Sequence, residues 1–215
     1  AHLHNVKVYV TVNTLIKEGE LEKVSNYLLE LYKMGVDAVL IQDIGLIKII
    51  RENIPKLRIH ASTQMNIHNI EGIKWASEHG IKRVVLPREM ELNELKEIID
   101  YAHSLNIEIE IFAHGALCYS YSGHCLLSSL QGGRSGNRGA CAQPCRREYR
   151  LKYRGYNIGN GYLLSTHDLA TYNHLDEIAD AGVKSLKLEG RMKSGDYIGT
   201  IVNSYRNLID GNPGD

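Results

Sequence analysis

Apolar residues recur along the chain in two alternating rhythms. Val6–Val12 reads as a β-branched, apolar strand. From Glu20 to Met34 the apolar positions Leu21, Val24, Leu28, Leu31 and Tyr32 follow at intervals of three, four, three and one, which marks one face of a helix. Gly35 comes next, then the run Val36–Ile41. The same helix–glycine–strand syntax returns as Gly80 before Ile81–Leu86 and as Gly182 before Val183–Leu188. Each glycine suits the position just past a helix, where a left-handed backbone costs least without a Cβ. Leu57–Ala61 and Ile107–Phe112 supply two further strands, so six strands precede residue 190 with helices between them.

Short apolar strands alternating with helices predict a parallel sheet covered on its faces. Doubly wound sheets and (β/α)8 barrels of the TIM type both satisfy the pattern. The barrel is the favoured expectation, lacking its first two β/α units, because such barrels typically need about 250 residues and the chain has 215. Ala1–Asn5, just before the first strand, fits the end of a preceding helix. The expected division is 1–112 as barrel units, 113–160 as a Cys- and Arg-rich insertion after the fifth strand, 161–211 as a last barrel unit and 212–215 as a tail. Trp75 and the stripe from Leu92 to Leu105 are expected to face the strands from helices. Thr166 or Asp168 is expected to cap the helix that follows them.

A hydrophobic fraction of 43% and a charged fraction of 23% exclude a disordered chain or a disulfide-rich miniature. No apolar run is long enough to span a membrane and no secretory signal is visible, so a cytoplasmic protein is expected. The 4 cysteines change this bland picture. Cys118, Cys125, Cys141 and Cys145 crowd into one segment with the spacing C-x6-C-x15-C-x3-C. Without a secretory signal, a thiolate-bound metal is a better reading than two disulfides. Four thiolates suit either tetrahedral zinc or an iron–sulfur cluster, and the spacing does not choose between them.

Charge is the second local signal. Lys plus Arg and Asp plus Glu both number 25, so the chain is neutral. Yet Arg134, Arg138, Arg146, Arg147, Arg150, Lys152 and Arg154 face one acid, Glu148, with Tyr149, Tyr153 and Tyr156 interleaved. Cations alternating with aromatics suit an RNA backbone and stacked bases. They also suit a cluster of thiolates, which cations stabilise.

In a barrel, reactive groups gather where strands end. Those positions are Asn13; Gln42 and Asp43; His60, Ser62, Thr63 and Gln64; Arg88 and Glu89; His114; Glu189 and Arg191. His114, Glu189, His60 and Glu89 are the candidates for proton transfer. Arg88 and Arg191 suit a carboxylate or phosphate. With Asn13, Gln64, Arg138, Arg146 and Arg147 they form the expected substrate-binding set. Asp43 and Glu89 have a competing reading as helix starts.

Three blocks carry a family resemblance. Glu110–Cys118, continued by Ser122–Ser128, is similar to the signature of peptidase family U32, the collagenase-like proteases. Asn137–Arg147 resembles that family's second cysteine block, and Leu188–Ser194 its closing block. The resemblance implies a barrel with two β/α units ahead of Ala1. It implies two activities: peptide cleavage, or oxygen-independent hydroxylation of a tRNA wobble uridine, an rRNA cytidine or the ubiquinone ring. For hydroxylation it implies a [4Fe-4S] cluster on the four cysteines, with zinc as the alternative. RNA-directed members imply prephenate as a co-substrate and an accessory or paralogous subunit. RNA hydroxylation is the leading expectation, a peptidase the second and a non-catalytic RNA-binding module the third. H-E-x-x-H and G-x-S-x-G are both absent, which weighs against the peptidase.

Overall fold

A computed structural model describes residues 1–211. Its strands are β1 (Tyr9–Val12), β2 (Ala38–Ile41), β3 (Ile59–Ala61), β4 (Arg83–Val85), β5 (Glu108–Ala116), β6 (Tyr149–Tyr153), β7 (Tyr156–Gly161), β8 (Asp168–Ala170) and β9 (Ser185–Leu188). Its helices are α1 (Leu21–Lys33), α2 (Ile44–Asn53), α3 (Ile70–Glu78), α4 (Leu92–Ser104), α5 (Leu127–Gly132), α6 (Leu175–Asp180) and α7 (Gly195–Ile209).

All six strands read from the sequence are present, and they pair in parallel. β1 through β5 are neighbours in chain order, and β9 takes the free edge of β5. A doubly wound sheet reverses its winding at a switch point; this one does not. The sheet curls strongly. Arg83 on β4 lies 5.3 Å from the Tyr9 ring centroid on β1, whereas strands three apart in a flat sheet stand about 14 Å away. Among the described residues β1 and β9 do not pair, so the frame is a curled half-barrel where the sequence led us to expect a (β/α)8 barrel.

The glycine reading holds in detail. Gly35, Gly80 and Gly182 have φ of 78°, 71° and 89°, each just after a helix. The helices lay their apolar stripes on the convex face of the sheet. Leu28, Ile47, Ile50, Ile73 and Ile99 are fully buried there against Val39, Ile41, Ile59 and Ile109. Each such side chain contributes roughly 1.5–3 kcal/mol. Trp75 packs at the margin of this core and stacks on His79.

Three local expectations change. The opening residues form a single 3-10 turn, His2–His4, closed by Asn5 at φ 56°. β5 runs past Phe112 to Ala116, because β8 pairs antiparallel with residues 114–116. Neither Thr166 nor Asp168 caps a helix: the Thr166 hydroxyl donates to the Leu117 carbonyl, Asp168 opens β8, and His174 precedes α6. The tail expected at 212–215 lies outside the described residues. Among those residues no helix is long and apolar enough to cross a membrane.

Candidate active site at the carboxyl ends of the strands

The concave face of the sheet is polar where the convex face is oily. Parallel register puts Leu40, His60, Arg83 and Glu108 in one row. Arg83 donates to Glu108 at 2.5 and 2.9 Å, to Glu110 at 3.1 Å and to the Ser185 hydroxyl at 3.3 Å. Burial disfavours its charge, but the two carboxylates hold its pKa above the ordinary arginine value. His60 is 4% exposed, edge-on to Tyr9, and its Nδ1 has no hydrogen-bond partner. Burial, reinforced by the Arg83 charge, lowers its pKa to about 4, so the ring is neutral at pH 7.

Nearer the strand ends, Phe112 carries two cations. The Arg88 guanidinium lies 4.1 Å from its ring centroid and the Lys187 ammonium 5.4 Å. The Arg88 Nε and the buried Gln42 Oε1 lack hydrogen-bond partners. Asn13 at the end of β1 reaches the Ser62 hydroxyl at the end of β3. Asp43 caps α2 through the amides of Gly45 and Leu46 and also accepts from Ile16.

The cysteine segment closes over these ends. The Glu89 carboxylate accepts from the Ser122 amide at 2.6 Å and the Ser122 hydroxyl at 3.2 Å. Ser122 is 3% exposed and also meets Thr63. Gly123 packs so closely on Gln64 that a Cβ there would strike the Gln64 carbonyl. Asn66 meets the His124 ring at 3.2 Å. On the other side, Arg138 forms a two-pronged pair with Glu20 at 2.7 and 2.8 Å and donates to the Leu15 carbonyl. That pairing holds the Glu20 carboxyl down to about 2.

The four cysteines are unpaired. Burial raises the Cys145 pKa, and the nearby Cys118, Cys141 and Cys125 raise it further against the opposing pull of Arg146. The four thiols lie in one neighbourhood, close enough for their charges to be felt at Cys145. The Gln143 amide donates to the Cys141 sulfur at 3.3 Å, a contact that orients the side chain. Among the described residues, no three His, Cys, Asp or Glu side chains form a ready-made metal-holding group. The donor type of the four cysteines suits a thiolate-bound metal or cluster, but their side chains as placed do not form a closed ligand set.

His114 sits where β5 bulges, and its imidazole is packed against α7. Tyr205, 3% exposed, donates its hydroxyl hydrogen to the Ala113 carbonyl at 2.8 Å. Its oxygen, 3.4 Å from His114 Nδ1, is then an acceptor. His114 Nε2 lies 3.1 Å from the Tyr197 hydroxyl, so the imidazole is held between two tyrosines.

The whole described chain matches one family model, Peptidase family U32, over residues 1–213. The chain belongs to peptidase family U32. Across 98% of its length it is 40% identical to the 23S rRNA 5-hydroxycytidine C2501 synthase of Escherichia coli, of which it covers 32%. It is 36% identical to the tRNA hydroxylation protein P1 of Bacillus subtilis, over 98% of the chain and 51% of that protein. It is also 35% identical to a collagenase of Porphyromonas gingivalis, over 95% of the chain and 52% of that protein. The chain thus spans about half or less of these U32 relatives. The solved U32 peptidase Mk0906 shares the fold, with a TM-score of 0.53 over 90% of this chain and 74% of that one, at 11% identity.

Against this U32 frame the sequence-derived site residues separate into groups. Asn13, Gln64, Arg88, Glu89 and the cysteine segment lie together at the strand ends. His60 lies deeper, on the concave wall. His114 and Glu189 meet through the backbone, with the Glu189 amide on the His114 carbonyl at 2.7 Å, while the imidazole faces tyrosines. Arg138 and Arg146 are internal ties rather than free substrate contacts. Arg146 binds Ser165, Thr166 and the Leu117 carbonyl, because loop carbonyls without a sheet partner need a donor. Both Glu89 oxygens are likewise taken by Ser122, which makes it a clamp. Arg147 and Arg191 are exposed. Tyr197, Tyr205 and Lys187 were not picked out from the sequence, and no local motif marks them; Ser122 opens a signature block but was given no role of its own. Glu108 and Glu110 do carry a signal: they alternate with Ile107, Ile109 and Ile111, which announces a polar second face.

Proposed function

We propose that this chain forms the core of an enzyme that hydroxylates an RNA base, with a thiolate-held iron–sulfur cluster at the strand ends. The observation that carries the reading is 36–40% identity to an rRNA 5-hydroxycytidine synthase and a tRNA hydroxylation protein, in a chain whose four cysteines all lie in a segment clamped over a polar half-barrel mouth. Cys118, Cys125, Cys141 and Cys145 would hold the cluster, which supplies one-electron redox chemistry when bound. Glu89 holds the segment down through Ser122. Arg88, stacked on Phe112 without a carboxylate partner, is placed for an anionic co-substrate such as prephenate. His114, held between Tyr205 and Tyr197, moves a proton through the Tyr197 hydroxyl.

The test joins composition to product. Anaerobically prepared protein should contain iron and acid-labile sulfide, and Cys141→Ser should lose most of both. A strain lacking the gene should lose one hydroxylated nucleoside from its rRNA or tRNA, detected by mass spectrometry and restored by the wild-type gene. Zinc in place of iron, or an unchanged nucleoside profile, would overturn the reading. The collagenase relative favours a peptidase as the second reading. It requires unaided peptide cleavage that thiol reagents stop, and the His124 ring beside Cys125 is engaged with Asn66 instead.

A further inference from the structure

We infer that the β6–β7 hairpin is a docking finger for a single-stranded segment of RNA; this rests on the RNA reading above and assigns the surface that holds the partner. The hairpin is a separate two-stranded sheet, Tyr149–Tyr153 against Tyr156–Gly161, and Leu151, Tyr153, Tyr156 and Ile158 in it are 51–77% exposed. Residues opposite one another in an antiparallel pair share a face. Leu151 with Gly159 and Tyr153 with Tyr156 therefore lie on one side. Arg150 with Asn160 and Lys152 with Asn157 lie on the other. An irregularity after Leu151 keeps the two sets apart by absorbing Ile158. One side offers rings beside a glycine floor, and the other offers cations beside amides.

Charge selects the occupant. From Tyr149 to His167 there are three cations, Arg150, Lys152 and Arg154, and no acid. An apolar protein partner does not explain a hairpin that alternates cation with ring. A polyanion with stackable faces does. The tip concentrates both elements. Arg154 at φ 48° and Gly155 at φ 86° make the tight turn, and the Arg154 guanidinium stands 5.3 Å from the Tyr153 centroid. Tyr156, 77% exposed, presents an uncovered ring. By contrast, the groove of about 720 Å³ between α3 and α4 is lined by Glu71, Glu89, Glu94 and Glu97, which repel phosphate.

Position links the finger to the site. The Tyr149 hydroxyl at its base donates to the Pro144 carbonyl at 2.9 Å, next to Cys145. A strand stacked at the tip and followed down the cationic side would arrive beside the thiols. Single-stranded RNA is the form that fits, because bases must be unstacked to lie on the tyrosines.

The probe is a 5′-fluorescein-labelled 12-nucleotide single-stranded RNA, with a blunt duplex of equal length beside it, read by anisotropy on anaerobic wild-type protein across salt concentrations. Tyr153→Ala with Tyr156→Ala should weaken single-strand binding at least about fivefold per ring. Phenylalanine at both positions should restore it. Arg150→Ala with Lys152→Ala and Arg154→Ala should flatten the slope of log affinity against log salt by about 2. Melting temperatures should stay within a degree or two of wild type, since these side chains are exposed. Unchanged affinity and slope, equal binding of the duplex, or a loss of melting temperature that exposes a protein contact would each overturn the proposal. The two readings fail separately. Hairpin-independent binding with hydroxylated nucleosides lost on deletion sinks the finger alone. Hairpin-dependent binding with an unchanged nucleoside profile sinks the hydroxylation reading alone.

Discussion

Replacing Glu89 with alanine tests whether one carboxylate holds the cysteine segment over the mouth. Two contacts are lost, the Ser122 amide at 2.6 Å and its hydroxyl at 3.2 Å. A hydrogen bond to a charged group contributes about 1.5–3 kcal/mol when shielded. Glu89 itself is exposed, so solvent weakens its charge, and the hydroxyl keeps Thr63 as a partner at 3.4 Å. About 2 kcal/mol for the pair is a fair magnitude, and it multiplies local opening about thirtyfold. The buried Ser122 amide has no substitute acceptor, so opening is the route by which it regains water. Amide hydrogen exchange over residues 117–126 should accelerate by that factor, and alkylation of Cys125 should quicken with it. Exchange in α2 and β3 should not change, because the core beneath is untouched. Glu89→Gln keeps one carbonyl oxygen and should open only about fivefold, corresponding to about 1 kcal/mol. If Glu89→Ala leaves exchange over 117–126 at the wild-type rate, the clamp is not what holds the segment, and the thiols owe their placement to Arg138 and Arg146.

Four further outcomes follow from particular contacts. His60 has a folded pKa of about 4 against 6.5 for the free side chain, so the unfolded chain binds the proton first. Stability should be full above pH 6.5 and fall by about 3 kcal/mol as pH drops toward 4, and chemical denaturation of His60→Gln should show a flatter dependence over that window. Gly115→Ala forces a side chain into φ +109° and into the Glu189 carbonyl; a loss above about 2 kcal/mol is expected, read as a lower melting temperature, and an unchanged one would refute the close approach. Tyr205→Phe removes one of three donors to the Ala113 carbonyl, which keeps the Thr171 amide and hydroxyl, and should cost about 1 kcal/mol. Tyr197→Phe, at a partly exposed ring, should leave the melting temperature alone and reduce nucleoside hydroxylation, and the reverse pattern would reassign the relay.

The parallel wall was legible because its signals are local. Gly35, Gly80 and Gly182 punctuate helix ends wherever the chain folds next, and a stripe such as Leu21, Val24, Leu28 and Leu31 needs only helical spacing to be read. Asp43 was legible as a cap for the same reason. The clamp was not, because Glu89 and Ser122 are 33 residues apart and neither residue type declares its partner. Arg138 and Arg146 misled for a related reason. Composition counts a guanidinium as a free charge, and only the fold shows that Glu20 and the carbonyls of Leu117 and Thr166 consume its donors.

That redistribution changes what the basic segment can do. Its inner arginines fix the loop that carries the thiols, and its outer cations, Arg150, Lys152 and Arg154, project on a hairpin. If the hairpin docks RNA as inferred above, the same run of charge serves two tasks separated by one anchored residue, Tyr149. Rigid attachment on one side and free charge on the other is the arrangement a substrate-delivering element needs: a finger that floated would not return a bound base to the same place beside the thiols. It follows that loosening the base should uncouple the two tasks. Tyr149→Phe removes the hydroxyl that donates to Pro144 at 2.9 Å and leaves every exposed cation and ring in place. RNA affinity should stay within about twofold of wild type, since the contacts remain, while nucleoside hydroxylation falls because the strand no longer arrives in register. Equal losses of affinity and hydroxylation would mean that the hairpin and the thiol segment act as one binding surface, with no separate delivery step.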